Sequence, residues 1–450
     1  MAVDAQRLTH GVGARWHAVR RRYKWWQLAL FVIGLIAFVS VLSALFLPVG
    51  DNPSRIYTDS PPPPVDSAHF ATALATIAGA PLERGGTITT LNNGDEFVPA
   101  LLDAIAHAER TINFAVYIWS EGSFSDQLLA ALEKKQREGV IVRVLLDGLG
   151  SIKVPDSDFE ALVKAGGKVQ KFRAPRFGKL TRFHRRNHRR SIVIDGEVGF
   201  TGGMAVSDIW LGNAQDPDHW RDIMFRVTGP LARSLQSAFA DLWVSASGEL
   251  LIDPKNYPTS APAATPGVDR FIHLANSPAD DDQSMAYFFL LPILSARESI
   301  YLAAPYFIPD YSLQSALVEK AKSGIDVRLL LPGPHTDNWI TRASAQARYQ
   351  ELLEAGAKIY EYQPTFMHAK YGVVDGKWAI IGSPNLNSRS RHLDEENALG
   401  IYDGEFGATL NATFFKDLER AKTVNLEEWR RRNPLQKFFE TVSRILDQQS

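Results

Sequence analysis

The chain has 450 residues, of which 45% are apolar and 22% charged, with a formal net charge of −1 and no cysteine. That length allows two or three domains with an ample core. The charge balance argues against a whole-chain polybasic nucleic-acid binder, and the absence of thiols excludes disulfides and thiolate metal sites.

In chain order, residues 1–24 read as a basic cytoplasmic tail carrying Arg15, Arg20, Arg21, Arg22 and Lys24. Residues 25–50 carry no charge and are rich in Leu, Val, Ile, Phe and Ala. A bilayer core needs roughly 20 apolar residues as a helix, so this run can span. It is too long for a signal-peptide core, and one uncleaved membrane helix is expected, with Trp25 and Trp26 at the interface. The cations ahead of it place the N-terminus in the cytoplasm and the rest of the chain on the far side. Residues 51–84, with Pro53 and Pro61 to Pro64, read as a stiff extended linker.

The remainder reads twice. Apolar first strands are expected around residues 112–117 and 300–306, amphipathic helices at 124–139 and 312–324, and buried strands at 142–146 and 327–331. Each is followed by a short helix ending in Ala-Gly and a further strand. This alternation implies an α/β fold with mixed, mostly parallel sheets flanked by helices. The Pro- and Ala-rich stretch 251–268 separates a first domain at 85–250 from a second at 269–450. A C-terminal stretch with Leu435, Phe438, Phe439, Val442, Ile445 and Leu446 has helical spacing on one face.

Each half then reaches a polar frame. His368 and Lys370 precede the apolar run Tyr-Gly-Val-Val, then Asp375-Gly376; His188 and Arg190 precede Ser-Ile-Val-Ile, then Asp195-Gly196. The two histidines are 180 positions apart (368 minus 188), and Gly202 and Gly382 close each frame at the same offset. Residues two apart on a strand share a face, and Asp-Gly reads as a turn. A hairpin would thus present an imidazole, a cation and, from the loop after it, Ser383 and Asn385. Imidazole can attack phosphorus or carry a proton near neutral pH, while cations and Ser/Asn side chains hold phosphate oxygens. Between the last predicted strand of the first half and His188, residues 171–190 hold nine Lys or Arg and no acid. That run reads either as a solvated basic loop or as a clamp for anionic headgroups or a nucleic-acid backbone.

Two frames of the form HxKxxxxD resemble the paired motifs of the phospholipase D superfamily. Trp220-Arg221-Asp222 and Gly229-Pro230 make the layout most similar to its bacterial cardiolipin synthase branch. The resemblance covers about residues 85–435 and implies two pseudo-symmetric domains whose motif hairpins share one active site. It implies His188 as nucleophile and His368 as general acid/base, in an order that can be reversed. Asp195 and Asp375 would orient a histidine or support a hairpin turn. Glu396 and Asp222 would each support a motif histidine, and Arg190, Lys370, Ser383 and Asn385 would bind phosphate. The first frame departs from the pattern with Arg190 for Lys and Ala205 for Asn. On sequence alone, Arg190→Lys should keep or raise activity.

The activity implied is transfer of a phosphatidyl group from one phosphatidylglycerol to another through a phosphohistidine, giving cardiolipin with no cofactor and no metal. The partners expected are a phospholipid and a membrane rather than nucleic acid, in a bacterial inner membrane with the catalytic part outside the cytoplasm. No oligomeric state is assigned. The alternatives are a phospholipase D that uses water, a nuclease, and a silent lipid-binding scaffold.

Overall fold

A computed structural model of the protein describes residues 25–27, 30–31, 33–34, 56–174, 185–258, 267–277 and 282–433. The chain divides into two units, Met1–Pro53 and Ser54–Ser450. Among the described residues no helix is long and apolar enough to cross a membrane. Most of the expected membrane helix, the tail ahead of it, residues 175–184 of the basic run and the C-terminal stretch 435–446 lie outside the described residues.

The second unit contains both halves of the repeat. Its strands, numbered along the chain, are β1 (Leu82–Glu83), β2 (Ile88–Asn92), β3 (Thr111–Val116), β4 (Ile141–Asp147), β5 (Lys168–Phe172), β6 (Ser191–Ile194), β7 (Val198–Gly202) and β8 (Ile223–Thr228). The second half continues with β9 (Arg270–Asn276), β10 (Ser299–Ala303), β11 (Asp326–Pro332), β12 (Lys358–Tyr362), β13 (Tyr371–Val374), β14 (Trp378–Gly382), β15 (Glu396–Tyr402) and β16 (Ala421–Thr423). One sheet runs β2-β8-β7-β6-β3-β4-β5, the other β1-β9-β15-β14-β13-β10-β11-β12-β16. The central strands are buried along their whole length, as β3 (TINFAV) shows, because helices cover both faces.

The expectation of mostly parallel sheets is corrected. Only β3–β4, β4–β5, β10–β11 and β11–β12 are parallel. The remaining neighbours are antiparallel. The strand–helix–strand pattern accounts for three strands of each half. The motif segments β6–β7 and β13–β14 are hairpins, which pair antiparallel by necessity. At their turns Asp195 and Gly196 have φ of 56° and 68°, Asp375 and Gly376 52° and 64°. Asp-Gly suits this left-handed pair because Gly lacks a Cβ and Asp tolerates the region.

The stretch read as a linker is, from residue 56 on, part of the second half. The helix Ala68–Ala78, capped by the Ser67 side chain, buries Phe70, Leu74 and Ala75. These join Trp378, Phe288 and Ile300 in one apolar core, and β1 extends the second sheet by pairing with β9. Prolines at 61–64 stiffen the approach, but burial of Phe70 against Trp378 (ring centroids 4.9 Å apart) is what fixes the segment.

A separate apolar core runs between the halves. It combines Ile223, Phe225 and Leu231 of the first with Phe271, Met367, Leu399 and Phe414 of the second. Polar ties cross the same seam. Arg221 pairs with Asp417 in the helix Gly404–Leu418, and the Asn397 carboxamide donates to the Arg190 carbonyl and Ser191 Oγ. The two halves therefore meet in a dry, bonded interface rather than a mobile cleft.

Candidate active site

Register places the site. Ala115 pairs with Ser191 and Ala303 with Tyr371, so the residues just before β6 and β13 lie at the carboxyl ends of the parallel strands. Open α/β sheets carry their ligand sites at that end. Both motif histidines stand there, buried to 7% (His188) and 5% (His368) exposure.

Each histidine is bound into the opposite half. Asn187 forms an isolated parallel bridge with Glu395, and Met367 one with Arg221. The His188 N–H donates to the Glu395 carbonyl (3.0 Å), and the His368 N–H to that of Arg221 (2.7 Å). One residue further on, a carboxylate arrives beneath each ring. Glu396 lies 2.9 Å from His188 Nδ1, and Asp222 lies 2.5 Å from His368 Nδ1. The carboxylates are thus exchanged between halves: the first domain's histidine is held by the second domain's acid, and the reverse.

The carboxylates are themselves anchored, by different means. Ser383 Oγ donates to Glu396 (2.5 Å). Asp222 instead accepts from the indole Nε1–H of buried Trp210 (2.8 Å) and from the Ile223 amide (2.8 Å). Gly203 stands where the second half has Ser383, and a Cβ there would fall 2.0 Å from Asp222 Oδ1. Trp210, Trp220 and Phe366 crowd the His368 ring at 5.6, 5.2 and 5.6 Å, whereas Tyr117 covers His188 at 5.0 Å.

A family profile described as cardiolipin synthase, phospholipase D-like domain, matches residues 101–243 and 291–418, which bracket both halves and all four of these histidines and acids. Cardiolipin synthase 1 of Bacillus anthracis is 33% identical over 389 residues, covering 84% of this chain and 76% of its own. Cardiolipin synthase of Geobacillus kaustophilus is 35% identical over 371 residues (82% and 74%), and cardiolipin synthase A of Pseudomonas fluorescens 35% over 378 (83% and 77%). The chain belongs to the cardiolipin synthase family of phospholipase D-like proteins. Its fold is shared with the phosphatidylserine synthase of Haemophilus influenzae: TM-score 0.63 at 16% identity, over 84% of this chain and 97% of that one.

Of the two roles expected of the motif aspartates, the structure shows support of the hairpin turn and not orientation of a histidine, so neither is a catalytic residue. Their positions at the hairpin turns put them at the far ends of β6 and β13 from the histidines. The Asp195 carboxylate accepts the backbone N–H groups of Glu109, Arg110 and Thr111. Asp375 does the same for Arg297, Glu298 and Ser299. Each ties its hairpin turn to the start of the first parallel strand and touches no imidazole. The basic run also changes character where it is described. Arg189 is fully buried against Asp241, Glu395 and the carbonyls of Ala238 and Asn276, Arg173 pairs with Glu395, and Arg186 donates to Tyr117 Oη. These cations bond to acids, carbonyls and a tyrosine that a sequence cannot place beside them.

Electrostatics favour neutral rings. Burial, reinforced by Lys370 and opposed by Asp222, pushes His368 down to about 4. His188 is also held well below its ordinary value, by burial, Arg190 and Lys370. His368 contributes to that shift, so the two imidazoles lie within electrostatic reach of each other. Burial lowers Lys370 to about 7 and raises Glu396 to about 8, the latter with help from Asp394. His188 and Glu396 both move toward their neutral forms because the dry site penalises both charges. Asp222 differs: burial pushes it up, but His368 and Lys370 outweigh that and keep its carboxyl below the usual range. One histidine thus has a firm counter-ion and the other a shared proton.

Lys370 Nζ donates to the His368 carbonyl (2.9 Å) and lies 3.1 Å from its Nε2. Arg190, 1% exposed, donates to the carbonyls of His188, Gly203 and Met204. Asn385 is buried at the loop that also carries Ser383, with its N–H bonded to Ser390 Oγ. Among the described residues no group of three or more His, Asp or Glu is placed to hold a metal ion. Sequence reasoning missed Trp210, Tyr117 and Tyr306. The Tyr306 hydroxyl bonds Asp337, whose charge acts on Lys370. Trp210 ends a short 3-10 turn, Asp208–Trp210, and nothing local marks its indole as a partner for an acid twelve residues on.

Proposed function

We propose that this chain is a phosphatidyltransferase that makes cardiolipin and glycerol from two molecules of phosphatidylglycerol. The observation that carries the reading is the pair of buried, neutral imidazoles, each steadied at Nδ1 by the other half's acid, beside two fixed cations. An ionised carboxylate on Nδ1 holds the ring proton there and leaves Nε2 free for chemistry, which at His188 requires Glu396, raised to about 8, to have lost its own proton. His188 Nε2 attacks phosphorus, a P–N bond forms, and the P–O bond to the glycerol headgroup breaks. His368 enters this step as the imidazolium, protonated at Nε2 once the diester's negative charge is bound beside it, and gives that proton to the departing glycerol oxygen. Asp222 beneath it is the counter-ion that an imidazolium at 368 requires, and the diester's own charge adds to it on binding. The second phosphatidylglycerol then gives its hydroxyl proton to His368, its oxygen attacks phosphorus, and the P–N bond breaks. Two-step transfer through one shared acid/base needs electrostatic stabilisation of the phosphoryl oxygens, which Lys370 and the Arg190 charge supply.

A lipid substrate is supported by the uncharged run at 25–50 and its basic flank, which read as a single anchor holding the site beside the inner membrane on its outer side. The test is turnover of labelled phosphatidylglycerol by the purified full chain in mixed micelles. Cardiolipin and glycerol are expected, with both lost in His188→Ala and His368→Ala while the melting temperature holds. Phosphatidic acid as sole product would make the protein a hydrolase, and no product from the wild type would make it a scaffold.

A further inference from the structure

The two motif frames stay in register over their whole length at an offset of 180: 188 with 368, 190 with 370, 202 with 382, 205 with 385. Equivalent positions can therefore be compared bond by bond. Lys370 Nζ donates to the carbonyl of its own histidine at 2.9 Å, and Arg190 Nη1 makes the same bond at 2.8 Å. Beyond that the arms diverge. The other close contacts of Lys370 return to the His368 ring, at 3.1 and 3.2 Å. Arg190 instead reaches on to the next loop, with Nη2 to Gly203 O (3.1 Å) and Nε to Met204 O (3.4 Å). That loop ends in Ala205, where the second half has the Asn385 carboxamide. Arg190 and Ala205 are 1% and 3% exposed, so both belong to the packed wall of the site.

We propose that Arg190 and Ala205 form a compensated pair, in which one guanidinium does in the first arm what the ammonium of Lys370 and the carboxamide of Asn385 do together in the second. The inference rests on the phosphodiester chemistry proposed above and adds to it a positioning residue. The guanidinium ties strand entry to loop, and it presents a charge that survives across physiological pH, where an ammonium in the same dry setting titrates. Restoring Lys alone would strip two carbonyls of their donors and leave a void beside a methyl group. Adding Asn alone would set a carboxamide into a buried loop whose carbonyls already hold the guanidinium. Arg190→Lys thus damages the site, the reverse of what motif matching suggests.

The experiment is a double-substitution cycle on the full chain, with wild type, Arg190→Lys, Ala205→Asn and the double variant. Two readouts are taken: kcat/KM on bis(4-nitrophenyl) phosphate, a soluble diester, and the melting temperature. Each single variant should lose about tenfold in kcat/KM and melt lower. The double variant should return to within about threefold of wild type and regain most of the lost melting temperature. It should also acquire a decline in kcat/KM above neutral pH steeper than wild type, because both arms then carry a titrating ammonium. Wild-type behaviour of Arg190→Lys, or a double variant worse than either single, overturns the pairing. Lipid product plays no part in these readouts, so the cycle can fail while cardiolipin is still made, and the melting limb decides the pairing even without turnover.

Discussion

Replacing Asp222 with Asn tests the exchange of carboxylates between halves and the division of labour between the histidines together. The Asp222 oxygen lies 2.5 Å from His368 Nδ1, and Asp222 itself is fully buried. A hydrogen bond to a charged group contributes roughly 1.5–3 kcal/mol net, and 1.36 kcal/mol is tenfold in rate, so the bond alone accounts for about 10- to 150-fold. An amide also donates where the carboxylate accepted, which turns the ring over to the wrong tautomer and extends the loss toward about 10⁴-fold. Trp210 donates to one Asp222 oxygen and the Ile223 amide to the other, so the Asn oxygen keeps only one of these donors and the variant should also melt lower while still folding. On phosphatidylglycerol, Asp222→Asn and Glu396→Gln should both fall by at least 100-fold. On bis(4-nitrophenyl) phosphate they should part. Nitrophenolate leaves without a proton, so the first-turnover burst of Asp222→Asn, whose defect lies in the acid, recovers most of its size. That of Glu396→Gln, whose defect lies in the attacking ring, does not. The opposite pattern would assign attack to His368, and a lipid activity above one tenth of wild type in both variants would refute the exchange itself.

Other expectations follow from the same geometry. Lys370, lowered to about 7, carries its charge below that pH and loses it above, so kcat/KM for an anionic diester should fall as pH rises through neutrality, and Lys370→Arg should flatten that limb while lowering the plateau. Asp195→Asn and Asp375→Asn keep a residue that tolerates positive φ but remove a carboxylate shared by three amides. Each should lose about 2–4 kcal/mol of stability in a denaturant titration, with kcat at low temperature within a few-fold of wild type. Trp210→Phe keeps the ring and deletes the Nε1–H to Asp222. It should lower kcat by about 10- to 100-fold with little change in KM, and a change confined to melting temperature would make Trp210 a packing residue only.

Local pattern revealed a good deal of this. The buried strands expected at 142–146 and 327–331 are β4 and β11, and the helix expected at 312–324 is Tyr311–Lys322, capped by Asp310. Sheet polarity was misread because only the strand–helix–strand stretches have a periodicity that announces their direction, while the strands following each hairpin inherit theirs from where the turn leaves the chain. The segment before β1 was misread because proline density signals stiffness and says nothing about what an adjacent Phe70 or Leu74 will find to pack on. The aspartates of the motifs were ambiguous for a related reason: hairpin residues seven apart can lie at one end of a strand or at both, and only the register, Ile112 against Ile194 and Ile300 against Val374, separates them.

What the chain of letters determined by itself is the chemistry: two imidazoles and their cations recurring at a constant offset, on strands short and apolar enough to hold them rigidly. What tertiary structure alone decided is the wiring. Which acid serves which histidine, which arginines face inward and why Arg190 differs from Lys370 all depend on contacts between residues far apart along the chain. A carboxylate and an imidazole that meet only when two domains close against each other leave no spacing to read, because the bond between them is set by the packing of the Ile223, Met367 and Leu399 core behind them.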